Sequence, residues 1–279
     1  MNTNSNTYTV IYTTIIVMLV AAILAFVSQS LKARQEANEK ADTISQMMTA
    51  AQFATKADLQ KIGNKAVLDK YAGEIERAFT VDLEGKKVSD LELDQVYSPK
   101  ELKKQNYLIK DGGKAELPVF IFKNGLTVVP VYGAGLWGPV WGYIAFEPSS
   151  NTIKGAYFDH ESETAGLGAK IKDDPAFQAE FNGEKADFTS ANVFDIVKGG
   201  APKNADGTSV IDNKIDAITG ATMTSNGLDA AIDTWLGAYS AYFKVAAPHD
   251  GDCCGEGECA EGGCEKGGSC CDKTKTEEE

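Results

Sequence analysis

The sequence predicts an α+β protein: a single N-terminal transmembrane helix, then a mixed α/β domain, then a disordered tail. Three observations predict this. Residues 1–31 carry no charged side chain, and Val10 to Val27 is almost wholly apolar. From Thr80 onward, short β-rich runs broken at Asp111-Gly112-Gly113 and Asn124-Gly125 lead to helical patterns near Asp174–Phe181 and after Ser225. Beyond Pro248 the chain is acidic, glycine-rich and of low complexity.

Taken in order, residues 1–9 form a short N-terminus and residues 10–31 the membrane helix. Eighteen helical residues span roughly 27 Å, close to the hydrocarbon thickness of a bilayer. The polar interruptions Tyr12, Thr13 and Thr14 sit near the start, where tyrosine suits the interface. A cleaved signal peptide is the rival reading, but a basic n-region and a good small-x-small cleavage site are both missing. Residues 32–79 are polar and helix-prone, and are read as a helical spacer. Residues 80–247 form the folded domain, where WGYIAFEPSSNTIKGAYFDH reads as two strands around a loop. Residues 248–279 cannot bury a core and are read as disordered.

Charge excludes some functions. The formal net charge is −13, and phosphate backbones need a clustered basic face, so nucleic acid is excluded as a partner. Part of the excess is local: from Pro248 onward acids outnumber Lys and Arg by ten to three. Two histidines, His160 and His249, cannot make a His-rich metal centre. All six cysteines lie between Cys253 and Cys271, so the domain needs no disulfide. Their spacing matches no common zinc or iron–sulfur pattern, and the tail is read as inert and solubilising, with no metal site.

Three segments carry candidate chemistry. Gly133-Ala134-Gly135-Leu136-Trp137-Gly138 fits G-x-G-x-x-G, but a dinucleotide loop must open a helix. Pro139 and the β-rich VWGYIAF follow instead, so the loop joins strands and no NADH site is read in this chain. The segment alone reads sooner as a tight turn with two core tryptophans, Trp137 and Trp141, than as a flat-ligand loop. His160-Glu161-Ser162-Glu163-Thr164-Ala165-Gly166-Leu167-Gly168 puts a His, acids and hydroxyls on one loop, which spacing alone does not make a catalytic triad. Its Gly-Leu-Gly suits a flat ring ligand better than hydrolysis.

The third segment is Asp216-Ala217-Ile218-Thr219-Gly220-Ala221-Thr222-Met223-Thr224-Ser225-Asn226-Gly227. After it, Leu228, Ala231, Ile232, Trp235, Leu236, Tyr239, Tyr242 and Phe243 recur at helical spacing. This predicts an amphipathic helix starting near Ser225 or Asn226, either of which can cap it. Hydroxyls at Thr219, Thr222, Thr224 and Ser225 then cluster at a helix N-terminus, a natural phosphate site. A Ser/Thr-rich loop with an ordinary cap is the plain alternative.

TGATMTS closely resembles the (S/T)-G-A-T-x-T motif through which FMN-binding domains carry FMN as a phosphoester on the last threonine. Together with GLW…WGYIAF, NTIKGAYFDHESETAGLG and Lys198-Gly199-Gly200, the chain from about Tyr8 to Val245 resembles the C subunit of the Na+-translocating NADH:quinone oxidoreductase. The G subunit of the Rnf complex shares the threonine motif and the E-T-x-G-L-G loop and is the alternative. A free-standing membrane-anchored flavoprotein reductase is another. Ala165 stands where the family's proline is usual, and Thr219 where serine is commoner.

The resemblance implies a covalent FMN on Thr224, placed there from FAD by a separate flavin transferase. An unaided threonine hydroxyl is a poor nucleophile, so its activation is expected from that enzyme. Trp137, Thr164, Leu167 and Lys198 are implied around the flavin ring and ribityl chain, with Thr222 beside the acceptor; no catalytic residue is implied. The implied role is an electron relay within a multi-subunit membrane complex that oxidises NADH, reduces quinone and exports Na+. The span carries no ionisable residue, so no Na+ pathway is read here. Lys32 and Arg34 just after the span favour a cytoplasmic domain. The resemblance points the other way, to a single-pass inner-membrane protein with its main domain outside, and that is the expectation.

Overall fold

One helix, α1 (Asn6–Ala50), runs from the apolar segment into the domain without a break. No Gly or Pro falls within it, and its 45 residues span about 68 Å. The computed structural model describes residues 6–147, 149–190, 192–202 and 212–246. The tail read as disordered, with His249 and all six cysteines, lies outside the described residues, as do residues 1–5.

The character of α1 changes along its length. Val10 to Val27 is exposed on all sides, and the segment is long and apolar enough to cross a membrane. At the other end Ala41, Ile44, Met47 and Met48 are buried, a stripe at helical spacing that packs on the domain. Part of the stretch read as a spacer, from Ala41 on, is therefore core. Helices α2 (Lys56–Ile62) and α3 (Asn64–Glu74) follow, with the Thr55 hydroxyl accepting the Asp58 N–H as the cap of α2.

Strand β1 (Ile75–Val81) corrects the helical reading of residues 75–79. It lies between β2 (Lys87–Asp90) and β3 (Leu117–Phe122), and pairing on both sides overrides the local helical pattern. Helix α4 (Pro99–Lys110) has no counterpart in the expectation above. Its signal was present: Pro99 follows the capping residue Ser98, and the Glu101 carboxylate accepts the Ser98 N–H at 2.8 Å.

Strands β4 (Thr127–Ala134), β5 (Pro139–Glu147) and β6 (Thr152–His160) complete an antiparallel sheet in the order β2-β1-β3-β4-β5-β6. The two strands expected about a loop in WGYIAF…GAYFDH are β5 and β6, and the glycine loop joins β4 to β5 as expected. Helices α1 to α3 cover one face, with Phe120, Phe122 and Tyr143. The other face, with Val129, Val131 and Ile144, is covered by α4 and α7 (Thr222–Ala246). Burial on both faces is why β4 and β5 read as nearly continuous apolar runs.

Between β6 and α7 come α5 (Lys170–Asp173), α6 (Pro175–Ala179) and a parallel pair, β7 (Asp195–Val197) with β8 (Lys214–Asp216). The buried stripe of α7 is Leu228, Ala231, Ile232, Trp235, Leu236, Tyr239 and Phe243, the expected one except that Tyr242 is half-buried. Each large side chain contributes roughly 1.5–3 kcal/mol by leaving water. The polar tips of this stripe are satisfied. Trp235 Nε1 donates to Asn106 Oδ1 at 3.1 Å, and the Tyr239 hydroxyl to the Pro118 carbonyl at 2.7 Å.

The expected start of that helix was three residues late. Helix α7 begins at Thr222, and Ser225 is inside it, its N–H bonded to the Ala221 carbonyl. The Ser225 hydroxyl accepts the Ile218 N–H at 3.1 Å and so ties the incoming loop to the first turn. Two glycines let this turn lie against β4. A Cβ at Gly133 would come within 2.5 Å of the Ala231 side chain, and one at Gly227 would collide with the Ala134 carbonyl.

Candidate functional site

Three segments meet at the start of α7. One is the β4–β5 turn, closed by the Gly135 N–H donating to the Gly138 carbonyl at 2.8 Å. Another is the loop after β6, residues 161–169. The third is the approach to α7, where Gly220 takes a φ of +83°, open to glycine at little cost.

Glu163 joins them. Its Oε2 accepts the Thr224 hydroxyl at 2.7 Å, and its Oε1 accepts the Trp137 N–H at 2.9 Å. The side chains involved are hidden: Glu163 is 8% exposed and Thr224 2%. Gly168 completes the enclosure, since a Cβ there would stand 2.5 Å from both Glu163 Oε2 and Thr224 Oγ1. Glu163 is itself held from behind, because its N–H donates to His160 Nδ1 at 3.1 Å. His160 therefore shapes this turn.

The other expected residues divide into two groups. Leu167 reaches the acceptor loop, its side chain within contact of Gly220, and it remains 43% exposed. Thr164 acts through its backbone: its carbonyl accepts the N–H groups of Leu167 and Ala169, each at 3.1 Å, while its side chain is exposed. Trp137 is 66% exposed at the tip of the β4–β5 turn, so it is no core tryptophan. Trp141 is half-buried, its Nε1 donating to Gln46 of α1 at 3.1 Å. Thr222 is half-buried in the first turn. Lys198 is exposed and follows β7, beside the Val197 carbonyl that accepts the Ala217 N–H at 2.9 Å. It thus lies along the strand pair that leads into α7, and no polar contact joins it to Thr224 or Glu163.

A carboxylate set stitches β7 to α7. Asp233 Oδ1 accepts the N–H groups of Val193 and Phe194 at 3.1 and 3.3 Å, and Asp229 Oδ1 accepts that of Ile196 at 2.6 Å. Burial drives Asp233 up to about 6, reinforced by the charges of Asp229 and Asp195 and opposed by its backbone donors. Burial also raises Asp229, with Asp195 adding to it.

The residues fit a phosphorylated flat ligand. The N–H groups of Thr222, Met223 and Thr224 precede the first intrahelical bond of α7, made by Ser225, and the helix dipole favours an anion there. The three segments that meet there carry exposed apolar side chains: Leu136, Trp137, Leu167 and Met223. Isolated exposed hydrophobics are ordinary, but a group at one polar site is suited to a ring.

Glu163 and Gly168 were not singled out from the sequence. Glu163 is 61 residues from Thr224, and no local pattern reports a contact of that separation. Both lie in the E-T-x-G-L-G segment, so only the motif as a whole held a signal.

Residues 135–237 match the family model for the FMN-binding domain. The C subunit of the Na(+)-translocating NADH-quinone reductase of Vibrio campbellii is 31% identical over 212 residues, 62% of this chain and 78% of that one. Its counterpart from Pasteurella multocida is 38% identical over 125 residues, and this chain spans 45% of its length. Among solved structures, the C subunit from Parabacteroides distasonis superposes with a TM-score of 0.59 at 30% identity, covering 76% of this chain and 96% of that one. Shewanella oneidensis NqrC gives 0.58 at 26% identity, covering 75% and 98%. Sequence, fold and site agree, and the chain belongs to the C-subunit family of the Na(+)-translocating NADH-quinone reductases.

Proposed function

We propose that this chain carries FMN as a phosphoester on Thr224 and relays electrons within a membrane complex that oxidises NADH, reduces quinone and exports Na+. One observation carries the reading: a hidden threonine hydroxyl, in hydrogen-bond contact with a carboxylate, in the first turn of a long helix and bordered by exposed apolar side chains. The bound flavin supplies the electron-carrying chemistry. The chain supplies position. The first-turn N–H groups of α7 hold the phosphate end, and Trp137, Leu167 and Met223 offer the apolar border for the ring. Lys198 contributes positive charge along the β7 edge, which favours the reduced ring. Thr164 fixes the loop on which Leu167 stands, and Thr222 flanks the acceptor. Other members of the complex supply the NADH and quinone sites, and a flavin transferase supplies the FMN.

The test is the site of attachment. Thr224→Ala loses fluorescence in a denaturing gel while Thr222→Ser keeps it, and peptide mass spectrometry finds the adduct on Thr224. An adduct on Thr219, Thr222 or Ser225 refutes the assignment.

On the same reading α1 is a single-pass anchor in the inner membrane, with the domain on the extracytoplasmic side, where the transferase works. Alkaline phosphatase fused after Val245 is then active and green fluorescent protein dark. A bright fluorescent fusion with inactive phosphatase refutes that orientation.

A further inference from the structure

We infer that Glu163 is the proton acceptor for the attachment of flavin to Thr224, so that the base for this modification resides in the chain being modified. The inference rests on the acceptor assignment above.

A threonine hydroxyl reacts poorly at neutral pH unless its proton has somewhere to go as the new bond forms. Here the proton already points at a carboxylate, with Thr224 Oγ1 and Glu163 Oε2 2.7 Å apart, inside general-base reach. The four hydroxyls of the motif are not equivalent. The Ser225 hydroxyl accepts the Ile218 N–H, and among the described residues only Thr224 donates to a carboxylate from this segment. Glu163 therefore also explains why one hydroxyl of four is chosen.

Glu163 is fixed for this role on two sides. Its second oxygen accepts the Trp137 N–H, and its own N–H is held by His160. The tip of the loop between Glu163 and Gly168 is open to solvent. Ala165, Gly166 and Leu167 are exposed, and Gly166 takes a φ of +74°. A transferase gains the hydroxyl by displacing this tip, while Glu163, pinned at the base of the loop, stays beside it.

The step balances without any oxidant or reductant. The donor is FAD, held by the transferase with its divalent cation. The Thr224 Oγ–P bond forms at the phosphorus on the FMN side of the pyrophosphate. The bond from that phosphorus to the bridging oxygen breaks, and AMP leaves with the electron pair. The hydroxyl proton passes to Glu163 Oε2 and then to water.

The experiment uses the full-length chain in detergent with a flavin transferase, FAD and Mg2+, and follows attachment by intact mass under single-turnover conditions. Glu163→Gln keeps shape and an acceptor for the Trp137 N–H but takes up no proton. At saturating transferase its rate falls by about 100-fold or more, the scale of a lost general base. The transferase concentration giving half the maximal rate stays within about threefold of wild type, because binding is untouched. Glu163→Asp recovers part of the rate. Gly168→Ala retains both reacting side chains but sets a methyl 2.5 Å from both oxygens, which forces them out of their present contact, and it slows attachment in the same direction. Labelling of Thr224 at the wild-type rate in Glu163→Gln overturns the proposal. Where that variant fails to fold by circular dichroism, wild-type rates in both Glu163→Asp and Gly168→Ala overturn it instead. A wild-type chain that takes no flavin on Thr224 removes the assignment on which this rests, and the proposal with it.

Discussion

Replacing Asp233 by asparagine should stabilise the domain above neutrality and do little in acid. Asp233 sits on α7, and its Oδ1 receives the N–H groups of Val193 and Phe194 just before β7. An asparagine side-chain oxygen accepts the same two bonds, so the stitch survives. What changes is the charge. An aspartate in an unfolded chain titrates near 3.9, whereas burial drives Asp233 up to about 6 in the fold. The folded state therefore holds the proton more tightly, and stability declines as pH rises from about 4 to about 6. Two units correspond to a ceiling of about 2.7 kcal/mol. Asp233 is only half-buried and solvent screens it, so about 1 kcal/mol is the working figure. In a domain of this size that is about 2–4 °C in melting temperature. The assay is thermal unfolding of wild type and Asp233→Asn at about pH 3, below the unfolded value, and at about pH 7.5. The variant gains at about pH 7.5 and is level with wild type at about pH 3. An equal shift at both values, or a loss at pH 7.5, refutes the reasoning.

Two further outcomes are expected. Trp235→Phe leaves the buried Asn106 Oδ1 without its donor and costs about 2–3 kcal/mol in chemical denaturation, from a lost hydrogen bond and lost volume together. On the proposed reading Trp137→Ala keeps the covalent flavin, since attachment would be through phosphate, but shifts flavin absorbance or midpoint potential; an unchanged spectrum and potential separates Trp137 from the ring.

What was legible in the sequence was whatever a local period could carry. The stripe of α7 from Leu228 to Phe243 shows at 3.6-residue spacing because one face alone is buried. The β5–β6 pair shows because its loop is short and its strands are apolar. Strand β1 was hidden because its seven residues take their state from β2 and β3, not from their own composition. Helix α4 is legible only at its start, where Ser98, Pro99 and Glu101 mark it. The start of α7 was misplaced because Ser225 looks like a cap, yet its hydroxyl reaches back to Ile218. The threonine motif was visible as a motif. The carboxylate facing it was not, because only the packing of α7 on β4 and the loop after β6 brings Glu163 to Thr224.

The two ends of the site differ in rigidity in a way that suits a carrier. Thr224 belongs to the most deeply buried helix, whose Trp235, Leu236 and Tyr239 are fully enclosed, and whose first turn presses on β4 where only small residues fit. A group attached there is anchored to the core. Leu136, Trp137, Leu167 and Met223, proposed to border the ring, are exposed instead. On the proposed reading the phosphate end is fixed and the ring end faces outward. A carrier that took both substrates itself would need an enclosed pocket for each. A relay needs an open edge where its neighbours in the complex approach the ring, and a fixed tether that keeps it from leaving. Enclosing the exposed tryptophan and leucine would protect the ring but remove that edge. On the proposed reading their exposure is a consequence of the task and not a defect of packing.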